Sequence, residues 1–166
     1  MLAENGQIIC TDIKNCSVAP ASLIKRILVP FDNSGHSLRA FGHALDLARR
    51  YGASIMVVTI TDEDQNAEWV NDTPSRQKSV KTSRNAEFRR HFKTLEAQTT
   101  KFGIHFDAIL LESTSTAESI ISLASQRHMD YIVMGTHGKG KTKEMMLGRI
   151  STSVALNAHC PVVLIK

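Results

Sequence analysis

The chain has 166 residues, 42% of them hydrophobic and 22% charged, with Lys+Arg 20 against Asp+Glu 16 and a formal net charge of +4. That length suits one domain with a sizeable core and excludes two ordinary ones, and the mixed composition excludes a wholly disordered or low-complexity chain. The apolar runs IMVV and PVVLI are far too short to span a membrane, and no basic region followed by an apolar run opens the sequence, so a cytoplasmic protein without a membrane partner is expected.

Cys10, Cys16 and Cys160 form neither an even framework nor a C-x-x-C pair, which leaves reduced, ordinary thiols as the expectation. The basic excess is local. Residues 76–93 carry seven Lys or Arg against one acid, Glu87, whereas residues 62–72 carry five acids and no base. The bases fall mostly between the apolar positions Phe88, Phe92, Leu95 and Phe102, which recur at helical spacing. A solvated helix face is expected there rather than a nucleic-acid patch.

In chain order, residues 26–31 (RILVPF) read as a first strand, followed by a helix with Leu38, Phe41, Leu45 and Ala48 on one face. Residues 54–60 (SIMVVTI) give a second strand, followed by the acidic loop and the long basic helix, which Gly103 ends. Residues 104–111 (IHFDAILL) give a third strand. Ser115 with Glu118 has capping-box spacing and opens a helix carrying Ile120, Ile121 and Leu123. Residues 129–135 (MDYIVMG) give a fourth strand, and a helix through STSVALNAH leads to a fifth, PVVLIK. Strands alternating with helices predict an α/β fold, a single doubly wound five-stranded parallel sheet with helices on both faces. Ligands of such sheets sit outside the carboxyl ends of strands where the order reverses, and FDNSGHS and GTHGKGKT both lie at strand ends.

GTHGKGKT, residues 135–142, fits G-x-x-x-x-G-K-[ST] at every fixed position. A phosphate loop follows the first strand of its domain, however, and opens a helix at its Lys-[ST]; here the loop follows the fourth strand, and Gly148 would sit inside such a helix. Ser151, Thr152 and Ser153 place the helix start after Gly148 instead.

The spacing Gly135-x2-Gly138-x9-Gly148, with VPFDNS at the first strand end and CPVVLIK as the last strand, resembles the universal stress protein family in its nucleotide-binding branch. The resemblance covers residues 25–166 and leaves residues 1–24 as an N-terminal extension, in which IIC could add an edge strand or pack on a neighbour. It implies a Rossmann-like, adenine nucleotide alpha hydrolase-like fold binding ATP, ADP or AMP, with Mg2+ accompanying the nucleotide where phosphates require it. It also implies a stress-response regulatory module with at most slow ATP hydrolysis, and a homodimer formed through the C-terminal strand.

Residue by residue, Asp32 matches the acceptor for the adenine amino group, with Pro30 and the backbone near Ile60 bounding the base and Phe31, between Pro30 and Asp32, in the same nucleotide-binding set. Met134 and Gly135 match positions beside the ribose. Gly138, Gly148 and the amides of Arg149, Ile150 and Ser151 match the phosphate cradle, and His137 in the same loop could contact a phosphate. Asp32 could instead cap the following helix, and His137 could be a solvent-facing loop side chain. Arg149 stands where the family has Ser or Thr, and either clamps a phosphate or obstructs the terminal one. Two other readings stand beside this one: a phosphate-loop phosphoryl-transfer enzyme using GTHGKGKT, and a nucleotide-free dimeric interaction module.

Overall fold

The computed structural model describes residues 8–18, 23–61, 74–138 and 147–166, without the side chains of residues 74–84. The acidic segment 62–72 and Lys139, Lys141 and Lys143 lie outside the described residues. An antiparallel hairpin of β1 (Ile8–Asp12) and β2 (Asn15–Val18) comes first. Then follow β3 (Arg26–Pro30), α1 (Gly35–Tyr51), β4 (Ser54–Thr61), α2 (Pro74–Thr100), β5 (Phe106–Glu112) and α3 (Thr116–Gln126). β6 (Tyr131–Gly135), α4 (Arg149–Asn157) and β7 (Val162–Ile165) complete the chain.

β3 to β7 form one sheet in the order β5-β4-β3-β6-β7, with every pairing parallel. It is the doubly wound sheet that the alternating pattern predicts. The period-2 side-chain alternation divides it into two cores. Ile27, Val29, Ile55, Val57 and Val133 pack with Ala40, Phe41, Ala44 and Ala48 of α1 and Leu95 of α2. Leu28, Val58, Ile132 and Met134 face the opposite way, onto Ile120, Leu123 and Ala124 of α3 and Val154 of α4. Being covered on both faces, the central strands read as unbroken apolar runs. The chain winds outward from β3 to β5 and then returns to the other side of β3, so the order reverses between β3 and β6.

Several local expectations are corrected. Leu38 is 49% exposed, and the buried face of α1 consists of Ser37, Ala40, Phe41, Ala44 and Ala48. Small residues are used because α1 lies hard against β6. A Cβ on Gly135 would meet the Cβ of His36 at 2.6 Å and its carbonyl carbon at 2.9 Å. Phe102 is 51% exposed because α2 stops at Thr100 and the chain turns at Gly103, whose φ of 67° closes the turn. Exposed Arg89, Arg90 and Lys93 alternate on α2 with buried Phe88 and Leu95, a solvated basic face. Ser115 precedes α3 but its hydroxyl makes no capping bond, so the Ser115–Glu118 capping box does not form.

The N-terminal IIC is no edge strand of the main sheet; it is β1 of the separate hairpin, in which Cys10 and Cys16 face each other and form a disulfide. The expectation of three reduced thiols fails there because a tight turn, invisible in the spacing alone, brings the pair together. Only Cys160 is a free thiol.

Gly135→Ala is expected to destabilise the fold by about 1–3 kcal/mol through overpacking against the α1 backbone. Urea denaturation checks this, and a change below about 0.5 kcal/mol, the range of an unremarkable surface substitution, would contradict the close approach.

Candidate functional site

Where β3 and β6 part at their carboxyl ends, a cavity of about 300 Å³ opens on the α3–α4 side of the sheet. Its floor follows from the strand alternation: Val58, Ile60 and Met134 belong to the second core and emerge at the strand ends. α3 contributes Thr116 and Ile120, and α4 contributes its first turn.

The segment FDNS leaving β3 is a self-contained turn. The Phe31 amide donates to the Val58 carbonyl at 2.8 Å, and the Thr59 hydroxyl donates to the Phe31 carbonyl at 2.7 Å, so the strand end is held to β4. One oxygen of Asp32, Oδ1, accepts from the Ser34 amide at 3.0 Å, while Asn33 takes φ 61°, a conformation Asn tolerates. Ser34 then caps α1 by accepting from the Ser37 amide at 3.1 Å. Asp32 is therefore not the helix cap; its short turn aims the carboxylate across the cavity. Oδ2 lies toward Gly138, where a Cβ would stand 2.7 Å from it.

On the far side, the end of β6 is fastened to the start of α4. The Thr136 carbonyl accepts from the Gly148 amide at 2.8 Å and from the Ser151 hydroxyl at 2.8 Å. Thr136 and Ser151 are both buried, each 3% exposed. The Ser151 hydroxyl hydrogen is thus committed to backbone carbonyls, Thr136 and also Gly148 at 2.9 Å, and its contribution to an incoming anion is its amide alone. Gly148 has extended backbone, φ −68° and ψ 152°, so no helix runs through it, contrary to what a phosphate loop opening a helix at Lys141 needs. Its carbonyl accepts the first helical bond, from Thr152 at 2.9 Å. The amides of Arg149, Ile150 and Ser151 precede that bond, and glycine offers no side chain to cap them. A Cβ on Gly148 would meet the Thr136 carbonyl oxygen at 2.9 Å.

The cavity therefore has a carboxylate at one end and an uncapped helix N-terminus at the other, which attracts anions. Arg149, exposed at the first position of α4, adds its cation, and no carboxylate of the described residues pairs with it. The His137 ring bonds Thr136 Oγ1 through Nδ1 at 3.1 Å and lies 5.5 Å from the His36 ring. Phe31 turns its ring edge-on to His91, at 6.5 Å.

Every residue singled out from the sequence lines this one cavity: Pro30, Phe31, Asp32, Ile60, Met134, Gly135, His137, Gly138, Gly148, Arg149, Ile150 and Ser151. Gly135 is there chiefly for the close approach of α1. Sequence reasoning missed Ser37, Val58, Thr116, Ile120 and Thr136. Val58 was within reach, two residues before Ile60 on the same strand face. Thr136 carried no signal, since its part is played by a backbone carbonyl.

The sequence model described as Universal stress protein family matches residues 23–166. The chain belongs to the universal stress protein family. A family member from Thermus aquaticus is 31% identical over 144 residues, covering 87% of this chain and all of the relative. Another, from Methanocaldococcus jannaschii, is 27% identical over 151 residues, covering 87% of this chain and 84% of the relative. Among solved structures, a second Methanocaldococcus jannaschii protein superposes with TM-score 0.75 at 22% identity, over 87% of this chain and 96% of its own, a likeness of fold. Two further neighbours were solved with nucleotides. One, from Archaeoglobus fulgidus, is in complex with dAMP (TM-score 0.60, 19% identity, 86% and 98% covered), and the other is in complex with cAMP (TM-score 0.65, 19% identity, 87% and 99% covered). The family match starts at residue 23 and leaves the β1–β2 hairpin outside it.

Ser151→Ala is expected to lower stability by about 0.5–1.5 kcal/mol, one hydrogen bond's net contribution, because the Gly148 amide still holds the Thr136 carbonyl. Denaturant titration reads this directly, and an unchanged midpoint would mean that the hydroxyl does not fasten α4 to β6.

Proposed function

We propose that the chain binds an adenine nucleotide in this cavity and acts as a nucleotide-responsive regulatory module of the stress response, with at most slow ATP hydrolysis. One observation carries the reading: the Asp32 carboxylate and the open N-terminus of α4 face one cavity, with Gly138 between them where no side chain intrudes. The dAMP and cAMP complexes of two structural neighbours support it, since both ligands are adenine nucleotides.

In this arrangement Asp32 accepts from the exocyclic amino group of adenine. Guanine presents an oxygen at that position, so the carboxylate repels it. Pro30, the Phe31 backbone and Ile60 bound the base, Met134 and Gly135 lie beside the ribose, and His137 and Gly138 lead to the phosphates. Gly148 and the amides of Arg149, Ile150 and Ser151 receive the phosphates, and Arg149 clamps them with its guanidinium. Mg2+ would be carried on the phosphates of ATP or ADP. Hydrolysis is slow because Asp32 is engaged with the base and the Nδ1 of His137 with Thr136. Residues 25–166 form the nucleotide-binding domain, residues 1–24 an extension, and the protein works in the cytoplasm.

The same reading includes a homodimer through β7, the edge strand of the sheet. The carbonyls of Pro161 and Ile165 accept from the amides of Ile132 and Thr136, so by alternation Val163 also faces β6. Val162 and Leu164 turn their amides and carbonyls outward, where a second copy can satisfy them. Leu164→Pro removes an outward donor without touching a bond to β6. Sedimentation should find the unsubstituted chain dimeric and this variant monomeric; a dimeric variant would remove β7 from the interface.

Calorimetric titration should show adenine nucleotides binding and GTP binding at least about 10-fold more weakly, a difference of about 1.4 kcal/mol. Asp32→Ala should erode that discrimination. Arg149→Ala should weaken AMP and ATP by about 10- to 150-fold, the range of a charged hydrogen bond. Equal affinity for GTP would overturn the role of Asp32, and tighter ATP binding by Arg149→Ala would make Arg149 an obstruction.

A further inference from the structure

The hairpin at residues 8–18 shares nothing with the nucleotide cavity. Its register pairs Ile8 with Val18, Ile9 with Ser17 and Cys10 with Cys16, with an irregularity before Asp12 meets Asn15. Every residue in it is exposed, so no core layer among the described residues supports it. An isolated two-stranded ribbon is marginal in water, and here the Cys10–Cys16 disulfide ties the strands together.

The turn has its own fastening. Asp12 Oδ1 accepts from the amides of Lys14 at 2.8 Å and Asn15 at 3.1 Å, and Oδ2 accepts from the Asn15 side-chain amide at 2.6 Å. These bonds, from the Asn15 side chain and the Lys14 amide above all, hold the Asp12 carboxyl below its ordinary range. None of them involves sulfur. Breaking the disulfide therefore leaves a turn that still directs Cys10 toward Cys16, and re-forming it is an intramolecular step with a high effective concentration.

We propose that the Cys10–Cys16 pair is a reversible dithiol–disulfide site, reduced by small monothiols and oxidised by their disulfides. In the reducing direction a thiolate attacks one sulfur of the pair from solvent; the Cys10–Cys16 bond breaks, a mixed disulfide forms, and the other cysteine leaves as a thiolate. A second monothiol attacks the mixed disulfide at the small molecule's sulfur. The products are the small disulfide and two cysteine thiols, two electrons having passed to the protein with two protons. An exposed pair takes part in such exchange because the attacking thiol reaches either sulfur unhindered. Inside a reducing compartment, disulfides of this kind are transient and redox-sensing rather than permanent.

Cys160 supplies the contrast. It is half-buried beside the second core, and burial, then the Asp130 carboxylate, pushes its thiol above the ordinary range. Exchange is thereby confined to the hairpin.

The full-length protein equilibrated in buffers of graded reduced-to-oxidised glutathione, quenched by alkylation and counted by mass spectrometry, tests the site. The expected result is one two-electron transition within the buffer range, at the same ratio from either direction and unchanged in Cys160→Ser. In the reduced chain, alkylation of Cys10 and Cys16 should be about 10-fold or more faster than that of Cys160. Asp12→Ala, which loosens only the turn, should move the transition several-fold toward the dithiol. A pair that stays oxidised at every ratio is a fixed staple and overturns the proposal. So does a reduced pair that re-forms only between chains or with Cys160.

Discussion

The Thr136 carbonyl is the point on which the site depends. It follows the end of β6, and it accepts both the amide of Gly148 and the hydroxyl of Ser151, residues ten or more positions further along the chain. Two strong donors on one buried acceptor fix where α4 begins, whatever course the intervening chain takes. Because Gly148 is extended and has no side chain, it caps none of the three amides after it, whose residues line the cavity. The price of this arrangement falls on Gly148, whose Cβ position lies 2.9 Å from the same carbonyl oxygen.

The opposite wall follows the same logic at a different strand. Thr59 holds the Phe31 carbonyl, Asp32 closes a turn on the Ser34 amide, and Ser34 caps α1. A strand end, a short polar turn and a helix start are thus set by four consecutive residues. β3 and β6 are hydrogen-bonded neighbours, so the two walls are rigidly related through Ile27–Tyr131 and Leu28–Ile132. The glycine at the end of β6 lets α1 lie close enough to finish the corner. The cavity opens at this corner.

Much of this was legible in the sequence, for physical reasons that can be named. Strands buried on both faces leave unbroken β-branched runs, and the three glycines with Asp32 mark places where backbone or carboxylate must come close to something else. Other features leave weaker traces. On α1, Phe41 and Ala48 are buried and Leu45 packs on the core as expected, but Leu38 is left to solvent and Ser37, Ala40 and Ala44 take the tight contact with the sheet. Ser115 has the right spacing for a cap, yet its amide is taken up by the Ser113 hydroxyl and its own hydroxyl makes no capping bond. The Cys10–Cys16 pair depends on a turn closed by Asp12 and Asn15, which no cysteine spacing rule encodes. Thr136 acts through its backbone, so its identity could not announce it.

In the proposed function, an adenine nucleotide spans the cavity from the β3 turn to the first turn of α4. Backbone amide NMR of the isotopically labelled chain during titration with AMP tests it most directly, because each wall is read residue by residue. The largest and saturable shifts are expected on the amides of Arg149, Ile150 and Ser151, on Gly138, and on residues 32–34, with β5 unmoved. Shifts absent from the α4 amides, or concentrated on a face remote from Asp32, would contradict it.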